Sequence, residues 1–142
     1  MIDPTLIIRK INLISQDFKE IVDLSRKSLQ DFLASRVDEV LAERYLERMI
    51  GRMIDINYHL ITESGSPPPT DYYQSFLFLE RLGVLPRDLA QTIASCAGLR
   101  NRIVHEYDEI DPARIHEALR TATRDVPQYL AHVHRYIDRL PR

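Results

Sequence analysis

The sequence predicts an all-α fold, an antiparallel bundle of about five helices formed by one domain over residues 1–142. Apolar residues recur at steps of three and four along nearly the whole chain, which is the period of amphipathic helices. No stretch alternates convincingly between polar and apolar residues, so strands are not expected. The 4 glycines and 8 prolines cluster at a few points, where they divide the periodic segments into helices joined by short loops.

The first two predicted helices are long. One covers about 4–32, where Asp3 can cap the N-terminus before a proline at the first helical position. The other covers about 37–63 and follows Ser35. Ser35 and Asp38, three positions later, form a pattern similar to a capping box. The Gly-Ser-Pro-Pro-Pro run at 65–69 then ends this helix and forms a stiff loop.

Three further helices follow. The third covers about 70–83 and ends at a glycine, and the fourth opens at Pro86. The fifth starts at Asp111, a cap followed by a proline, and continues to the end of the chain. Pro127 lies inside this last helix and is expected to kink it, because proline removes one backbone hydrogen bond. The first, second and fifth helices are long enough to form the frame of the bundle.

Size, charge and cysteine content limit the function classes. A chain of 142 residues can bury a core without disulfides or metals. The formal charge of −2 argues against coating nucleic acid through bulk charge, although it permits a local basic cleft. Cys96 excludes an internal disulfide, since it has no second cysteine to pair with, and it fits a reducing cytosol. With neither a signal peptide pattern nor an apolar run near ~18 residues, a cytoplasmic protein without membrane association is expected.

One segment carries candidate chemistry. Residues 98–107 read Gly-Leu-Arg-Asn-Arg-Ile-Val-His-Glu-Tyr, at the end of an otherwise apolar helix. Arg100 falls on the apolar stripe of this helix, where a charge is costly unless it is paired or meets an anion. His105 lies on another stripe with Asn101 and Gly98, whose small size would let a second helix approach closely. Arg100 and His105 lie ~140° apart around the helix and about 7.5 Å apart along it, so the arginine can lean towards the histidine with a phosphate between them.

An arginine and a histidine at one phosphate can cleave a phosphodiester. Imidazole exchanges protons near neutral pH, and a guanidinium fork stabilises negative charge that grows on phosphate oxygens. In RNA the 2′-hydroxyl is an internal nucleophile, so no metal or cofactor is required. From spacing alone the pattern is common, and the alternative is a helix C-terminus whose basic residues offset the helix dipole.

Residues 100–105, Arg-Asn-Arg-Ile-Val-His, resemble the signature of the HEPN superfamily: arginine, a polar residue, three more residues, then histidine. The following Glu-Tyr gives a histidine-x-tyrosine pattern similar to that of the HepT toxin branch. Residues 53–60 also resemble the second-helix pattern of the family. The resemblance implies a small helical bundle with the signature on its fourth helix. It assigns Arg100 and His105 as the catalytic pair and Asn101 as a supporting residue.

The resemblance also implies a function and partners. HepT-like toxins are metal-independent endoribonucleases of bacterial toxin–antitoxin pairs, and they form homodimers in which two signature helices meet at a shared cleft. The implied partners are an RNA substrate (tRNA or mRNA), a second copy of the chain, and an MNT-type nucleotidyltransferase antitoxin. In this branch the antitoxin transfers AMP to the tyrosine after the histidine, here Tyr107. Phosphates added beside Arg100 and His105 would occupy the anion site and block RNA.

Several alternatives stay open on the sequence alone. A non-catalytic HEPN module that binds nucleotide or partners a nucleotidyltransferase is the main one, although the intact Arg–His pair favours the enzyme. Asp55 and His59, one helical turn apart, could contribute to a metal site but are more often polar members of a helix face. Cys96 is expected to pack in the core. The aromatic residues within 72–78 could stack bases, although packing into the bundle is the commoner role.

Overall fold

The computed structural model describes residues 1–105 and 110–141, and within these ranges the chain forms α-helices and no strands. The helices are α1 (Pro4–Ser25), α2 (Leu29–Leu33), α3 (Arg36–Glu63), α4 (Tyr72–Arg81), α5 (Arg87–His105) and α6 (Pro112–Asp138). The predicted all-α class is confirmed, with one short helix more than the five expected. Within the described ranges, none of these helices combines the length and apolar character that a membrane crossing requires.

The additional helix comes from a break in the first predicted one. α1 ends at Ser25, where the backbone N–H of Arg26 bonds to carbonyls of the preceding turn. Ser28 then starts α2, because its hydroxyl accepts the backbone N–H of Asp31 at 3.1 Å. The prediction of one helix over residues 4–32 was wrong, since the apolar spacing continues unchanged across the turn. Phe32, the last member of that stripe, is fully buried.

The other helices begin where the capping pattern predicted. Side-chain oxygens accept backbone N–H groups at the N-termini of α1, α3, α4 and α6, and the capping residues are Asp3, Ser35, Asp71 and Asp111. Gly83 follows α4 with a φ of 77°, the left-handed conformation that glycine adopts without strain. α6 continues beyond Pro127 as a helix, and the predicted kink stays a prediction.

The core lies between three long helices and a smaller helical pair. α1 packs against both α3 and α6, α4 packs against α5, and α3 contacts both groups. The predicted frame of three long helices therefore corresponds to α1, α3 and α6. Each of them buries an apolar stripe, as Ile14, Met53 and Val133 illustrate with 0% exposure. This arrangement places the ends of α5 and α4 beside the middle of α3, where the candidate site lies.

A polar cluster is enclosed in this core and joins three helices. Asn57 of α3, Ser75 of α4 and Tyr129 of α6 are each fully buried. The Asn57 amide nitrogen donates to the Ser75 hydroxyl at 3.1 Å, while its carbonyl accepts the Tyr129 hydroxyl at 2.6 Å. The Ser75 hydroxyl in turn donates to the backbone carbonyl of Tyr72 at 2.6 Å. Because every member is hydrogen-bonded, the cluster fixes the first turn of α4 against α3.

Candidate functional site

The last turns of α5 carry the predicted site residues. α5 packs into the bundle through a buried apolar face that includes Ile93, Ala94 and Ala97. One turn further on, Arg100 is half-buried, whereas Asn101 and His105 are exposed. The helix therefore changes from an anchored segment to one that presents polar side chains to solvent. The fourth predicted site residue, Tyr107, lies outside the described residues.

Arg100 is held in place but lacks a full set of partners. Its guanidinium carbon lies 5.3 Å from the centroid of the Tyr72 ring, which is a cation–π contact. Its Nε atom is buried and has no hydrogen-bond partner among the described residues. A buried donor without an acceptor costs about 1–3 kcal/mol, so native structures rarely keep one without a reason. An anion that accepts from Arg100 would remove this cost.

Arg100 lines an open groove between α3, α4 and α5, which we call the Arg100 groove. Its lining residues are Glu47, Arg48, Gly51, Arg52, Ile54, Asp55, Tyr72 and Arg100. Three of these carry guanidinium groups, the side chain best suited to bind phosphate through paired hydrogen bonds.

His105 and Asn101 line a second groove, which we call the His105 groove. Its lining residues are Tyr58, Thr70, Asp71, Tyr72, Asn101, Arg102 and His105. The volume of about 490 Å³ lies within the roughly 300–1,000 Å³ of small-molecule sites. Arg100 does not line this groove, but Tyr72 borders both. The structure thus brings Asn101 and His105 together and places Arg100 on the other side of one tyrosine ring; their sharing of a phosphate stays a prediction.

Tyr72 and Tyr58 form the aromatic wall of the site. Their ring centroids lie 5.9 Å apart with the rings nearly perpendicular, at 82°. Burial raises the pKa of Tyr58, with smaller contributions from Tyr72 and Asp71, so its hydroxyl stays protonated and can donate a hydrogen bond. From the sequence, Tyr72 was named only among the aromatic residues within 72–78 that could stack bases, and neither tyrosine was connected with Arg100 or His105. Tyr72 was expected to pack into the bundle, as Phe76 does with 0% exposure, and only its position directly after the α4 cap distinguished it.

The other polar candidates from the sequence are engaged in contacts between helices. The Asp55 carboxylate lies 3.0 Å from Nζ of Lys10, and Nε2 of His59 accepts the backbone N–H of Asp3 at 3.0 Å. Within residues 1–105 and 110–141, no group of three or more histidine, cysteine or acidic side chains could hold a metal ion. Cys96 packs against the core as predicted, and burial raises the pKa of its thiol.

Gly98 opens one face of α5 without a neighbour from the same chain. A Cβ atom added there would meet no described atom within 4 Å, and the residue is exposed. The close helix approach expected at Gly98 is therefore not made within one chain. A second chain as the approaching partner stays a prediction.

Comparison with known proteins identifies the family. Residues 13–133 match the family model described as ribonuclease HepT-like. The chain belongs to the HepT-like ribonuclease family. The tRNA nuclease HepT of Aphanizomenon flos-aquae is 32% identical to this HepT-like chain over 136 residues, which cover 96% of the chain and 92% of the relative. A putative RNase of Archaeoglobus fulgidus is 34% identical over 58 residues, 41% of the chain and 43% of the relative.

Solved structures of other proteins share the fold of this chain. A tri-AMPylated HEPN toxin of Shewanella oneidensis, in complex with an MNT antitoxin, aligns with a TM-score of 0.80 and 23% identity over 90% of the HepT-like chain and 96% of the toxin. YutE of Bacillus subtilis, a cytosolic protein of unknown function, aligns with a TM-score of 0.84 and 14% identity over 96% and 92% of the two chains. At these identities the likeness shows a shared fold, and the predicted HEPN-like bundle is confirmed.

Proposed function

We propose that this HepT-like chain is an endoribonuclease toxin in which Arg100 and His105 cleave RNA and Asn101 supports them. The observation that carries the proposal is the buried, unpartnered Nε of Arg100 at an open groove. His105 and Asn101 line the adjoining groove, one tyrosine ring away. The family and the likeness to a tRNA nuclease over most of the chain support an RNA substrate, and tRNA is the first to test.

The reaction uses the 2′-hydroxyl next to the cleaved phosphate. The 2′-oxygen loses its proton and bonds to phosphorus, the bond from phosphorus to the 5′-oxygen breaks, and that oxygen takes up a proton. The products are a 2′,3′-cyclic phosphate and a 5′-hydroxyl end. The His105 imidazole carries one of the two proton transfers, while the Arg100 guanidinium stabilises the charge on the phosphate oxygens. The chemistry requires no metal, so cleavage should persist in EDTA.

A homodimer would complete this chemistry. Each chain offers one signature imidazole, and a second copy meeting it along α5 would bring a second Arg100 and His105 into the same cleft. The open face at Gly98 leaves room for that contact. Sedimentation equilibrium should give twice the chain mass, and Gly98→Leu should weaken the dimer and cleavage together. A fully active monomer would contradict this part of the proposal.

The proposed control of the toxin is transfer of AMP to Tyr107 by an MNT-type nucleotidyltransferase antitoxin. The solved Shewanella toxin is tri-AMPylated and bound to an MNT antitoxin, and Tyr107 follows His105 by two residues in this chain. Coexpression with such an antitoxin should add AMP-sized increments to the intact mass and abolish cleavage. Tyr107→Phe should prevent the gain. An unchanged mass of the native chain would refute this control.

The decisive experiment separates an enzyme from a binding module. Expression of the chain alone in a bacterium should arrest growth, and the purified protein should cut tRNA in the presence of EDTA. His105→Ala should relieve the arrest and abolish cleavage. If the native chain and His105→Ala are equally harmless and neither cuts RNA, the chain is a non-catalytic partner of a nucleotidyltransferase and the nuclease proposal fails.

A further inference from the structure

Two arginines of α3 share the groove of Arg100 and have no role in the mechanism above. Arg48 and Arg52 are four positions apart, so they lie on the same face of α3 with a rise of about 6 Å between them. Gly51, between them in sequence, also lines the groove, and a Cβ atom added there would meet no described atom within 4 Å. The surface beside the two arginines is therefore open to a ligand.

A buried carboxylate positions both arginines. Asp17 of α1 is 5% exposed, and its Oδ2 lies 3.3 Å from Nε of Arg48 and 2.9 Å from Nη1 of Arg52. Nη1 of Arg52 also donates to the backbone carbonyl of Leu13 at 3.4 Å. The two side chains remain 39% and 22% exposed. Since a guanidinium has five N–H donors, each arginine keeps donors for the groove while Asp17 restricts its motion.

The groove carries more positive than negative charge. Asp17 can balance only one of the two guanidiniums that it contacts. The groove's own carboxylates are paired elsewhere: Asp55 with Lys10 at 3.0 Å and Glu47 with Arg44 at 3.5 Å. Arg100 adds a third guanidinium, and its Nε lacks a partner among the described residues. Such a surplus on fixed side chains favours a dianion or two neighbouring phosphodiesters.

We propose that Arg48 and Arg52 form a second phosphate subsite, which holds the backbone phosphate of RNA next to the one that is cut. The inference rests on the proposed nuclease function and extends its substrate contact. The Arg100 groove and the His105 groove adjoin at Tyr72, so a single strand can pass from Arg48 and Arg52 past Arg100 to His105. Contacts to phosphate give affinity without base preference.

Binding is measured on the His105→Ala background, so that the RNA stays intact. The probe is a short fluorescein-labelled single-stranded RNA, titrated at several salt concentrations. Replacing Arg48 and Arg52 by glutamine should weaken binding at least tenfold and lower the slope of log affinity against log salt by roughly 0.7, the contribution of one neutralised phosphate on a single strand. The matched control replaces Arg135 and Arg139, an exposed pair with the same spacing at the end of α6, and should leave the slope unchanged.

A second variant separates RNA binding from folding. Removing both arginines leaves Asp17 buried without a cation, which can destabilise the bundle. The triple change Asp17→Asn, Arg48→Gln and Arg52→Gln removes the carboxylate as well and should restore thermal stability. It should bind RNA as weakly as the double variant, because the groove has still lost both guanidiniums. If restored stability also restores affinity, the two arginines only join α1 to α3 and the subsite is refuted.

The remaining outcomes distinguish this inference from the proposed function. If the native chain cuts RNA but RNA binding does not change when Arg48 and Arg52 are replaced, the subsite is refuted and the nuclease proposal stands. If the native chain fails to cut RNA but RNA binding depends on both arginines, the nuclease proposal fails, and Arg48 and Arg52 are a phosphate site for RNA that is bound without being cut. If the double variant binds RNA normally but gains less AMP on coexpression with the antitoxin, the groove serves the phosphates of the modification and the RNA subsite is wrong.

Discussion

Two polar clusters adjoin at the first turn of α4 and differ in how far their hydrogen bonds are completed. The Asn57 cluster of α3, α4 and α6 is fully buried, and its amide and carbonyl both have partners within 3.1 Å. At the Arg100 site, the guanidinium rests on an aromatic ring while its Nε is buried without a partner among the described residues. The first cluster stabilises the fold, whereas the second accepts a cost in stability.

This difference indicates where an external ligand fits. A polar group whose hydrogen bonds are all satisfied inside the protein gains nothing from a ligand, whereas an unsatisfied one gains up to the cost that it carries in the free protein. Asn57 and Arg100 are both positioned by α4, through Ser75 and Tyr72 respectively. In α4, the turn that carries Ser75 therefore stabilises the fold, and the preceding turn, which carries Tyr72, positions Arg100.

The largest expected effect is at the open cluster. Arg100→Gln should lower kcat/KM for RNA cleavage by about 10²–10³, the usual effect of removing one donor to a developing oxyanion. The free energy of unfolding should stay unchanged or rise, because the unsatisfied Nε is removed. Cleavage rates and urea unfolding of the same preparation check both parts. If Arg100→Gln lowers the free energy of unfolding but leaves RNA cleavage unchanged, Arg100 stabilises the fold and does not serve the site.

The closed cluster should respond in the opposite way. Asn57→Ala should lower the free energy of unfolding by about 2–4 kcal/mol, because it opens a cavity and removes the amide that joins the buried hydroxyls of Ser75 and Tyr129. Urea titration measures the loss. RNA cleavage, assayed at a temperature where the variant is still folded, should fall much less than in Arg100→Gln. Comparable losses of cleavage would show that the two clusters are not separate in function.

Tyr72 lies between the clusters and should give an intermediate effect. Tyr72→Leu removes the ring beneath Arg100, and a cation–π contact is worth about 0.5–2 kcal/mol, or roughly 2- to 30-fold in cleavage rate. Tyr72→Phe keeps the ring face and should retain more activity than Tyr72→Leu. The ratio of the two rates is the measurement. If loss of the hydroxyl alone accounts for the whole decrease, the ring does not position Arg100.

The smallest effect concerns a histidine outside both clusters. Burial and, to a smaller extent, Arg135 and Arg139 lower the pKa of His132 below its usual value of 6.5. The folded chain therefore binds this proton less tightly than the unfolded chain. The free energy of unfolding therefore has its full value above pH 6.5 and decreases as the pH falls through the lowered pKa of His132. His132→Gln should reduce the difference in thermal midpoint between the two sides of pH 6.5, and an unchanged difference would contradict the assignment.

Local sequence signals allowed part of this architecture to be predicted. Capping residues such as Asp3 and Asp111 act within one turn of their own position, so these helix starts could be predicted and are confirmed. The break between α1 and α2 could not, because the turn contacts His116 of α6, which is distant in sequence. Nε2 of His116 lies 2.7 Å from the carbonyl oxygen of Lys27, and its ring centroid lies 5.2 Å from that of Phe32. The apolar period alone continues through that turn.

The same limit applies to the site. Arg100, Asn101 and His105 lie on one helix, so their motif could be found in sequence. Tyr72 comes from α4, and its contact with Arg100 depends on how the helices pack. Arg48 and Arg52 gave no signal because an arginine pair on a helix is usually a solvated face, and only the buried carboxylate on α1 shows that they are positioned. The roles of the signature residues and of Tyr107 stay predictions.

The hydrogen bond from Ser75 to the carbonyl of Tyr72 links the two clusters through one backbone residue. Any replacement that shifts the interior of the bundle by a fraction of an ångström at Ser75 also shifts the aromatic platform on which the guanidinium rests. Selection that maintains the position of Arg100 would therefore also constrain buried side chains that do not contact a substrate. Among diverging sequences with this fold, the identities at 57, 75 and 129 should change together with the residue at 72.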